Sequence, residues 1–231
     1  MLFKFLPILA MLGWAWYSMQ SSEKGLLKDL DRKSTPLDSG PLLSALQRFR
    51  TSMGVDDIRV AIYEQDAING LAAPDGRIVL TRGLFDKYRN GDFTVSELAA
   101  VIAHEIGHVA LGHIDRRKNA WRVEMAAKAA AGMFLPRMLT GIVGTAVQYV
   151  SKALHMGLSR HDEYEADAFA VALMQRSGFD PRASVTLLEK LDRMGDGRSA
   201  PIAWLSSHPA NDKRIAAVER AIQGSAPRDQ P

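Results

Sequence analysis

The spacing of apolar and polar residues along the chain predicts several helices and one small β-sheet. Apolar residues recur at helical spacing from Pro41 to about Ser52, which predicts a first amphipathic helix. Two short stretches rich in β-branched residues, 58–63 and 77–81, predict strands. Further helices are predicted at about residues 83–90, 95–113, 161–177, 182–194 and 211–223. The predicted fold class is therefore α+β, mainly helical with one small β-sheet.

The helix predicted near residue 95 carries the clearest chemical pattern. Thr94 and Glu97 stand in capping-box relation at its start, and an HExxH motif follows as His104, Glu105 and His108. Four residues along a helix leave the two imidazoles about 40° apart on one face. Two neutral imidazoles so placed bind one zinc ion, and Glu105 reaches a zinc-bound water. The alternative is a helix with two buried histidines and a surface glutamate.

A catalytic zinc site usually has a third protein ligand. His113 is a poor candidate, because a continuous helix would turn it about 140° away from His108; it is interpreted as a helix-end residue near the C-terminal dipole. Glu163 is the better candidate, since it opens a second helix and shares a face with Asp167, whose carboxylate would orient a zinc-bound imidazole. Acidic residues are also common at helix starts, so this cluster alone does not establish the site.

Composition narrows the class of protein. The 231 residues suffice for one good core, and 47% apolar with 24% charged residues is typical of a globular protein. A net charge of +3 does not favour a nucleic-acid partner. The chain has no cysteine, which excludes disulfides, thiolate metal ligands and a cysteine nucleophile.

The two ends of the chain differ from its middle. Residues 1–20 combine Lys4 with an apolar run, which indicates a signal peptide or a membrane anchor; a buried N-terminal helix is the alternative. Residues 21–40 are rich in Ser, Lys, Asp, Gly and Pro and are predicted to be a linker. The folded domain is predicted over 41–224, with a flexible tail at 225–231.

Residues 119–158 are the least regular part of this predicted domain. They are strongly apolar, yet charged residues interrupt them too often for a membrane span. The region is interpreted as an apolar helical lid over the cleft or as an insertion that contacts an anionic membrane surface.

Four blocks of sequence, in this order, resemble the HtpX and CAAX-prenyl-protease type of zinc metallopeptidase. They are residues 69–84, HEIGHVALGH at 104–113, Ser159-Arg160 with the run from Glu163 to Asp167, and Ser207-His208-Pro209 with Arg214-Ile215. The resemblance spans about residues 40–220 and is strongest to the small extracytoplasmic members, the BepA and LoiP types. It implies a zincin-like domain with one Zn²⁺ per chain at His104, His108 and Glu163, and with Glu105 as general base.

The resemblance also implies that Asp167 supports the site and that His208 lies near it. His208 would steady the tetrahedral oxyanion, or occupy the open zinc position and keep the enzyme latent; a turn histidine is the alternative. Arg214 would pair with an acidic residue behind the ligands, or be a solvated helix arginine. An irregular or extended edge would accept an extended peptide substrate through the residues Asn69, Gly70, Leu71, Ala72 and Ala73.

The leading functional hypothesis is a zinc metalloendopeptidase that cleaves unfolded or misassembled proteins at or near a membrane. The alternatives are a latent peptidase that acts mainly as a chaperone-like binding module, and a structural membrane protein with an accidental HExxH motif. Predicted partners are polypeptide substrates and a membrane surface, without nucleic acid; a homo-oligomer or a membrane-protein partner is left open. The predicted location is extracytoplasmic (periplasmic) or anchored to a membrane by the N-terminal segment.

Overall fold

The computed structural model describes residues 21, 23–134, 160–195, 202–209 and 212–225. The chain divides into two compact units, one of Met1–Asp29 with Gly112–His161 and one of Leu30–Leu111 with Asp162–Pro231. In chain order the described helices are α1 (23–33), α2 (Gly40–Met53), α3 (Arg82–Arg89), α4 (Val95–Ala110), α5 (His113–Phe134), α6 (160–176), α7 (Arg182–Gly195), α8 (Ala203–Ser207) and α9 (Asp212–Ser225). The described strands are β1 (Ser34–Pro36), β2 (Val60–Tyr63), β3 (Gly70–Ala72) and β4 (Ile78–Thr81). This mainly helical architecture with one small sheet confirms the predicted α+β class.

The four strands form one sheet in the order β1-β2-β4-β3. The two strands predicted from β-branched residues, β2 and β4, run parallel, with Val60 opposite Ile78. β4 is buried at all four positions, as expected of an inner strand. β3 pairs antiparallel with β4 and forms one edge of the sheet, so the segment 69–73 contains an extended edge strand.

Helix α4 is the central helix of the second unit, and every residue from Glu97 to His108 is buried. The predicted capping box is present: Glu97 N donates to Thr94 Oγ1 at 3.1 Å, and Thr94 N donates to Glu97 Oε2 at 2.8 Å. Lys190 Nζ on α7 donates to the same Glu97 oxygen at 2.8 Å. These contacts hold the start of α4 about two turns before the HExxH residues.

The main core packs around α4. Its buried side chains come from seven helices, namely α2, α3, α4 and α6 to α9, and from one face of the sheet. They include Leu42, Phe49, Ile78, Leu80, Leu98, Ile102, Leu173, Met174, Leu187 and Leu191. A second, smaller cluster contains Val79, which alternates with Ile78 and Leu80 along β4 and therefore points to the opposite face of the sheet.

The prediction of a linker at 21–40 is wrong. Leu30 of α1 is 2% exposed and belongs to the second cluster, with Ala73 and Val79. Asp31 Oδ1 lies 2.6 Å from Arg77 Nη1, and β1 adds a strand antiparallel to β2. The stretch is polar because most of its side chains remain exposed, while Leu30 covers the outer face of the sheet and Leu37 packs in the main core.

The end of α4 also differs from its prediction. The helix stops at Ala110 rather than at 113, since Gly112 adopts a φ of +69°, a conformation that glycine tolerates. His113 is therefore not at a helix C-terminus: it is the buried first residue of α5.

In the first unit, Lys118 Nζ of α5 lies 3.0 Å from Glu23 Oε1 of α1. The predicted signal or anchor at 1–20, the part of the lid beyond Phe134 up to 158, and the tail from 226 lie outside the described residues. Among the helices that are described, none combines the length and the apolar character needed to cross a membrane.

Candidate metal centre

The HExxH motif occupies the buried second half of α4. His104 and His108 lie on one face, as the spacing predicts, and their Nε2 atoms are 3.1 Å apart. The two rings meet edge to face, with centroids 4.8 Å apart. Glu105 is 1% exposed, and its Oε1 atom is buried without a hydrogen-bond partner.

Glu163, predicted as the third ligand, reaches both histidines from α6. Its Oε2 atom lies 3.3 Å from His104 Nε2, and its Oε1 atom lies 3.3 Å from His108 Nε2. Glu163 is 5% exposed, so the three side chains converge away from bulk solvent. Sequence positions 55 residues apart therefore meet in one cluster.

Asp167 and Arg214 form a buried layer behind His104. Asp167 Oδ1 lies 2.9 Å from His104 Nδ1, on the ring nitrogen that does not face Glu163. Arg214 holds the same carboxylate with two hydrogen bonds, from Nε to Oδ2 at 2.6 Å and from Nη2 to Oδ1 at 2.8 Å. Arg214 is 2% exposed, so it is not the solvated helix arginine of the alternative interpretation.

His208 follows α8 directly and points into the same cluster. Its Nδ1 atom lies 2.8 Å from Glu163 Oε2 and 3.3 Å from His104 Nε2, while its Nε2 atom lies 3.5 Å from Glu105 Oε1. Arg214 Nη1 donates to the backbone oxygen of His208 at 3.1 Å. The structure thus brings His208 into direct contact with the predicted ligands.

Trp204 is a site residue that sequence reasoning missed. Its ring is stacked on His208 at 5.1 Å with an interplanar angle of 29°, and it meets His104 edge to face at 5.9 Å. The backbone N–H of Trp204 donates to Ile68 O at 3.1 Å, just before β3. The one available signal was an aromatic residue one helical turn before His208. The hydrogen bond to Ile68 places α8 beside the start of the sheet edge at 69–73.

The buried charges set the ionisation of the cluster. Burial opposes ionisation of Glu163, but hydrogen bonds from His104, His108 and His208 hold its pKa far below its usual range. Burial lowers the pKa of His104, yet hydrogen bonds to Asp167 and Glu163 outweigh it and raise that pKa to about 9. Burial lowers the pKa of His108. Without a metal at neutral pH, His104 therefore carries a proton while His108 is neutral.

The donor set fits a metal ion such as zinc. Each of His104, His108, Glu163 and His208 offers one ligand atom, and these atoms all lie within 4.8 Å of one another. Ligands at about 2.0–2.1 Å in a tetrahedron are separated by about 3.3 Å, close to the 3.1 and 3.3 Å found between the first three. The Glu105 oxygen that lacks a hydrogen bond stands beside them, where a metal-bound water would donate a hydrogen bond to it.

Comparison with known proteins identifies the family. The model of peptidase family M48 matches residues 37–222, which include the whole cluster. The chain belongs to peptidase family M48. This confirms the resemblance seen in the sequence and the class of enzyme that it implies, a metallopeptidase, and members of this family depend on a metal.

Three relatives show how far the similarity extends. The beta-barrel assembly-enhancing protease of Escherichia coli O157:H7 is 33% identical over 212 residues, which cover 83% of this chain and 42% of the relative. The metalloprotease LoiP of Escherichia coli K12 is 32% identical over 219 residues, covering 86% of this chain and 80% of the relative. The mitochondrial metalloendopeptidase OMA1 of Arabidopsis thaliana is 30% identical over 164 residues, which cover 70% of this chain and 31% of the relative. The chain thus spans less than half the length of the assembly-enhancing proteases that it matches.

Proposed function

We propose that the protein is a zinc metalloendopeptidase that cleaves unfolded or misassembled proteins at or near a membrane. The convergence of His104, His108 and Glu163 beside the Glu105 oxygen that lacks a hydrogen bond carries this proposal. Two imidazoles and one carboxylate are a donor set of catalytic zinc sites, which favours zinc over metals that prefer oxygen ligands. Zinc, when bound, supplies a water of lowered pKa and polarises the scissile carbonyl.

The residues around the cluster have separable roles in this mechanism. Glu105 accepts the proton of the attacking water at its Oε1 atom and passes it to the leaving amine. Asp167 accepts a hydrogen bond from His104 Nδ1, which keeps Nε2 of that ring directed at Glu163 and the metal position. Arg214 holds Asp167 in this orientation.

His208 is proposed to keep the resting enzyme latent. Its Nδ1 atom, 3.3 Å from His104 Nε2, stands at the separation expected of a fourth ligand. In that place it closes the position that water and substrate need. Once it leaves that position, its ring is proposed to steady the oxyanion of the reacting carbonyl by donating a hydrogen bond to it.

The edge strand β3 is proposed to bind the substrate. β3 is the last strand in the order of the sheet. Helix α8 lies beside the start of β3, where Trp204 N donates to Ile68 O. A peptide added as a further strand would be held by main-chain hydrogen bonds from the segment 69–73, which do not depend on its sequence. This suits unfolded polypeptides, and cleavage with a tight sequence preference in a peptide library would count against it.

The membrane location rests on the sequence and on the relatives. The apolar segment 1–20 would export or anchor the chain, and one relative is named for β-barrel assembly. We propose an extracytoplasmic location near a membrane surface, where misassembled membrane proteins would be the substrates.

The test is cleavage of casein, an unfolded protein, by the zinc-loaded full-length chain. Glu105→Gln removes the base while keeping its size, and should lower the rate by about 10²–10⁴-fold without loss of bound zinc. Glu189→Gln, at an exposed position of α7, is the matched control and should cleave normally. Undiminished cleavage by Glu105→Gln would contradict the proposal.

A second candidate function is a latent peptidase that serves mainly as a chaperone-like binding module, and the position of His208 favours it. If the parent holds zinc without cleaving, His208→Ala decides between the two. Cleavage by His208→Ala, even at a rate lowered by loss of the oxyanion contact, supports a latent enzyme, whereas no detectable cleavage supports the binding module.

A further inference from the structure

Helices α4 and α6 approach each other closely at Gly107. A methyl group built on Gly107 would lie 3.1 Å from Ala166 Cα, 3.2 Å from Ala166 O and 3.3 Å from Phe169 Cδ1. Two of these three atoms belong to the backbone of α6, which cannot rotate away as a side chain can. Ala166 is 0% exposed, so the contact lies inside the core.

This contact lies between the two sets of metal-centre residues. Gly107 directly precedes His108 on α4, and Ala166 directly precedes Asp167 and follows Glu163 by one turn on α6. The separation of the two helices at this point therefore sets the distances from Glu163 and Asp167 to the histidines. Glycine is less favourable than alanine inside a helix, so a glycine buried along α4 calls for a packing reason.

We propose that Gly107 is a positioning residue of the metal centre. Its missing side chain lets the backbone of α6 come close enough for Glu163 to share one metal ion with His104 and His108. The inference rests on the proposed function, since it assigns a role toward the metal that those three residues would hold.

The size of the expected effect follows from the contact distances. A methyl at Gly107 forces its neighbours to give by a few tenths of an ångström, and the backbone contacts pass that shift to α6 as a whole. Metal sites tolerate distance errors of only about 0.2 Å. The shift is large for the metal site, whereas its packing cost to the fold is offset by the about 1 kcal/mol by which alanine favours a helix over glycine.

The experiment compares Gly107→Ala with Gly224→Ala in the full-length chain. Gly224 lies on α9, where an added Cβ meets nothing within 4 Å, so it is the matched control. Zinc affinity is measured by competition with a chromophoric chelator, and thermal unfolding is followed in excess EDTA. Gly107→Ala should bind zinc at least about tenfold more weakly, with no loss of the metal-free unfolding midpoint. Gly224→Ala should leave zinc affinity unchanged and should not lower the unfolding midpoint.

A merely structural role would give the opposite split, with a lowered metal-free midpoint and parental zinc affinity, and that result would overturn the proposal. If Gly107→Ala does not fold, it is repeated on a Phe169→Leu background, which removes the ring contact but keeps both backbone contacts. The double variant should then bind zinc at least about tenfold more weakly than Phe169→Leu alone; equal binding would refute the proposal. Absence of zinc from the parent would instead refute the proposed function itself.

Discussion

The buried pair of Asp167 and Arg214 gives a prediction whose magnitude can be worked from the structure. Both residues are less than 10% exposed and are joined by two hydrogen bonds of 2.6 and 2.8 Å. Removing one partner of a buried pair costs about 3–5 kcal/mol, because it leaves the other charge buried without compensation. Here each residue keeps a second contact, Arg214 with Glu163 at 3.2 Å and Asp167 with His104 at 2.9 Å. We therefore expect each single substitution to lower the free energy of unfolding by about 3 kcal/mol, the lower end of this range.

The perturbation is a double-mutant cycle of Asp167→Asn, Arg214→Met and the combined variant. In a domain of this size 1 kcal/mol shifts the unfolding midpoint by about 2–4 °C, so each single variant should unfold about 6–12 °C lower. The combined variant removes both charges, and its cost should fall short of the sum by about 2 kcal/mol. Calorimetry or circular dichroism in excess EDTA measures all four proteins.

Substitutions of Asp167 and of Arg214 should differ in their effect on zinc affinity. Asp167→Asn removes the carboxylate that orients His104 and should weaken zinc binding about 10–100-fold, whereas Arg214→Met retains that carboxylate and should weaken it less. Additive unfolding free energies within about 0.5 kcal/mol would show that the pair is not coupled, and unchanged zinc affinity in Asp167→Asn would refute its orienting role.

Four further predictions concern other parts of the centre and its supporting helix. Because the pKa of His104 is raised from 6.5 to about 9, zinc must displace a proton from this ring below pH 9. The apparent zinc affinity should therefore rise about tenfold per pH unit from pH 7 to 9 and then level off. An affinity that does not change with pH would contradict this. By the same shift His104 stabilises the metal-free fold fully below pH 6.5, and this contribution should be lost as the pH rises through about 9 in EDTA-treated unfolding scans. Thr94→Ala should lower the free energy of unfolding by about 1 kcal/mol by removing the cap of α4, while Thr51→Ala, at an exposed position, should not. His208→Ala should retain one zinc and shorten any lag before cleavage if His208 closes the resting site; a lag of parental length would argue against latency.

Much of the metal centre could be predicted from the sequence, because residue spacing along a helix determines where α4 begins and which of its side chains share a face. The capping box of Thr94 and Glu97 predicted where α4 begins, and the spacing of His104 and His108 predicted that they share a face. Glu163 required a further chemical argument, the need for a third ligand, since nothing in the sequence states which helix packs on α4.

The features that were not predicted depend on tertiary packing. Leu30 is buried because the outer face of the sheet needs a cover, a requirement that is invisible in the polar composition of 21–40. β1 contains only three residues, one of them Pro36, so no β-propensity marked it. Trp204 and the close approach at Gly107 emerge only when α8 and α6 are packed against α4.

The most direct measurement is the rate of casein cleavage as zinc is added back to the metal-free, full-length protein. We expect no cleavage without zinc, a rise that saturates near one equivalent, and no recovery at that level in Glu163→Gln, which lacks the charged third ligand. Should the parent require activation, the same titration on His208→Ala should show the same dependence on zinc, at a rate lowered by the loss of the oxyanion contact. Cleavage that persists without metal, or full recovery by Glu163→Gln at one equivalent, would contradict a zinc centre built from His104, His108 and Glu163.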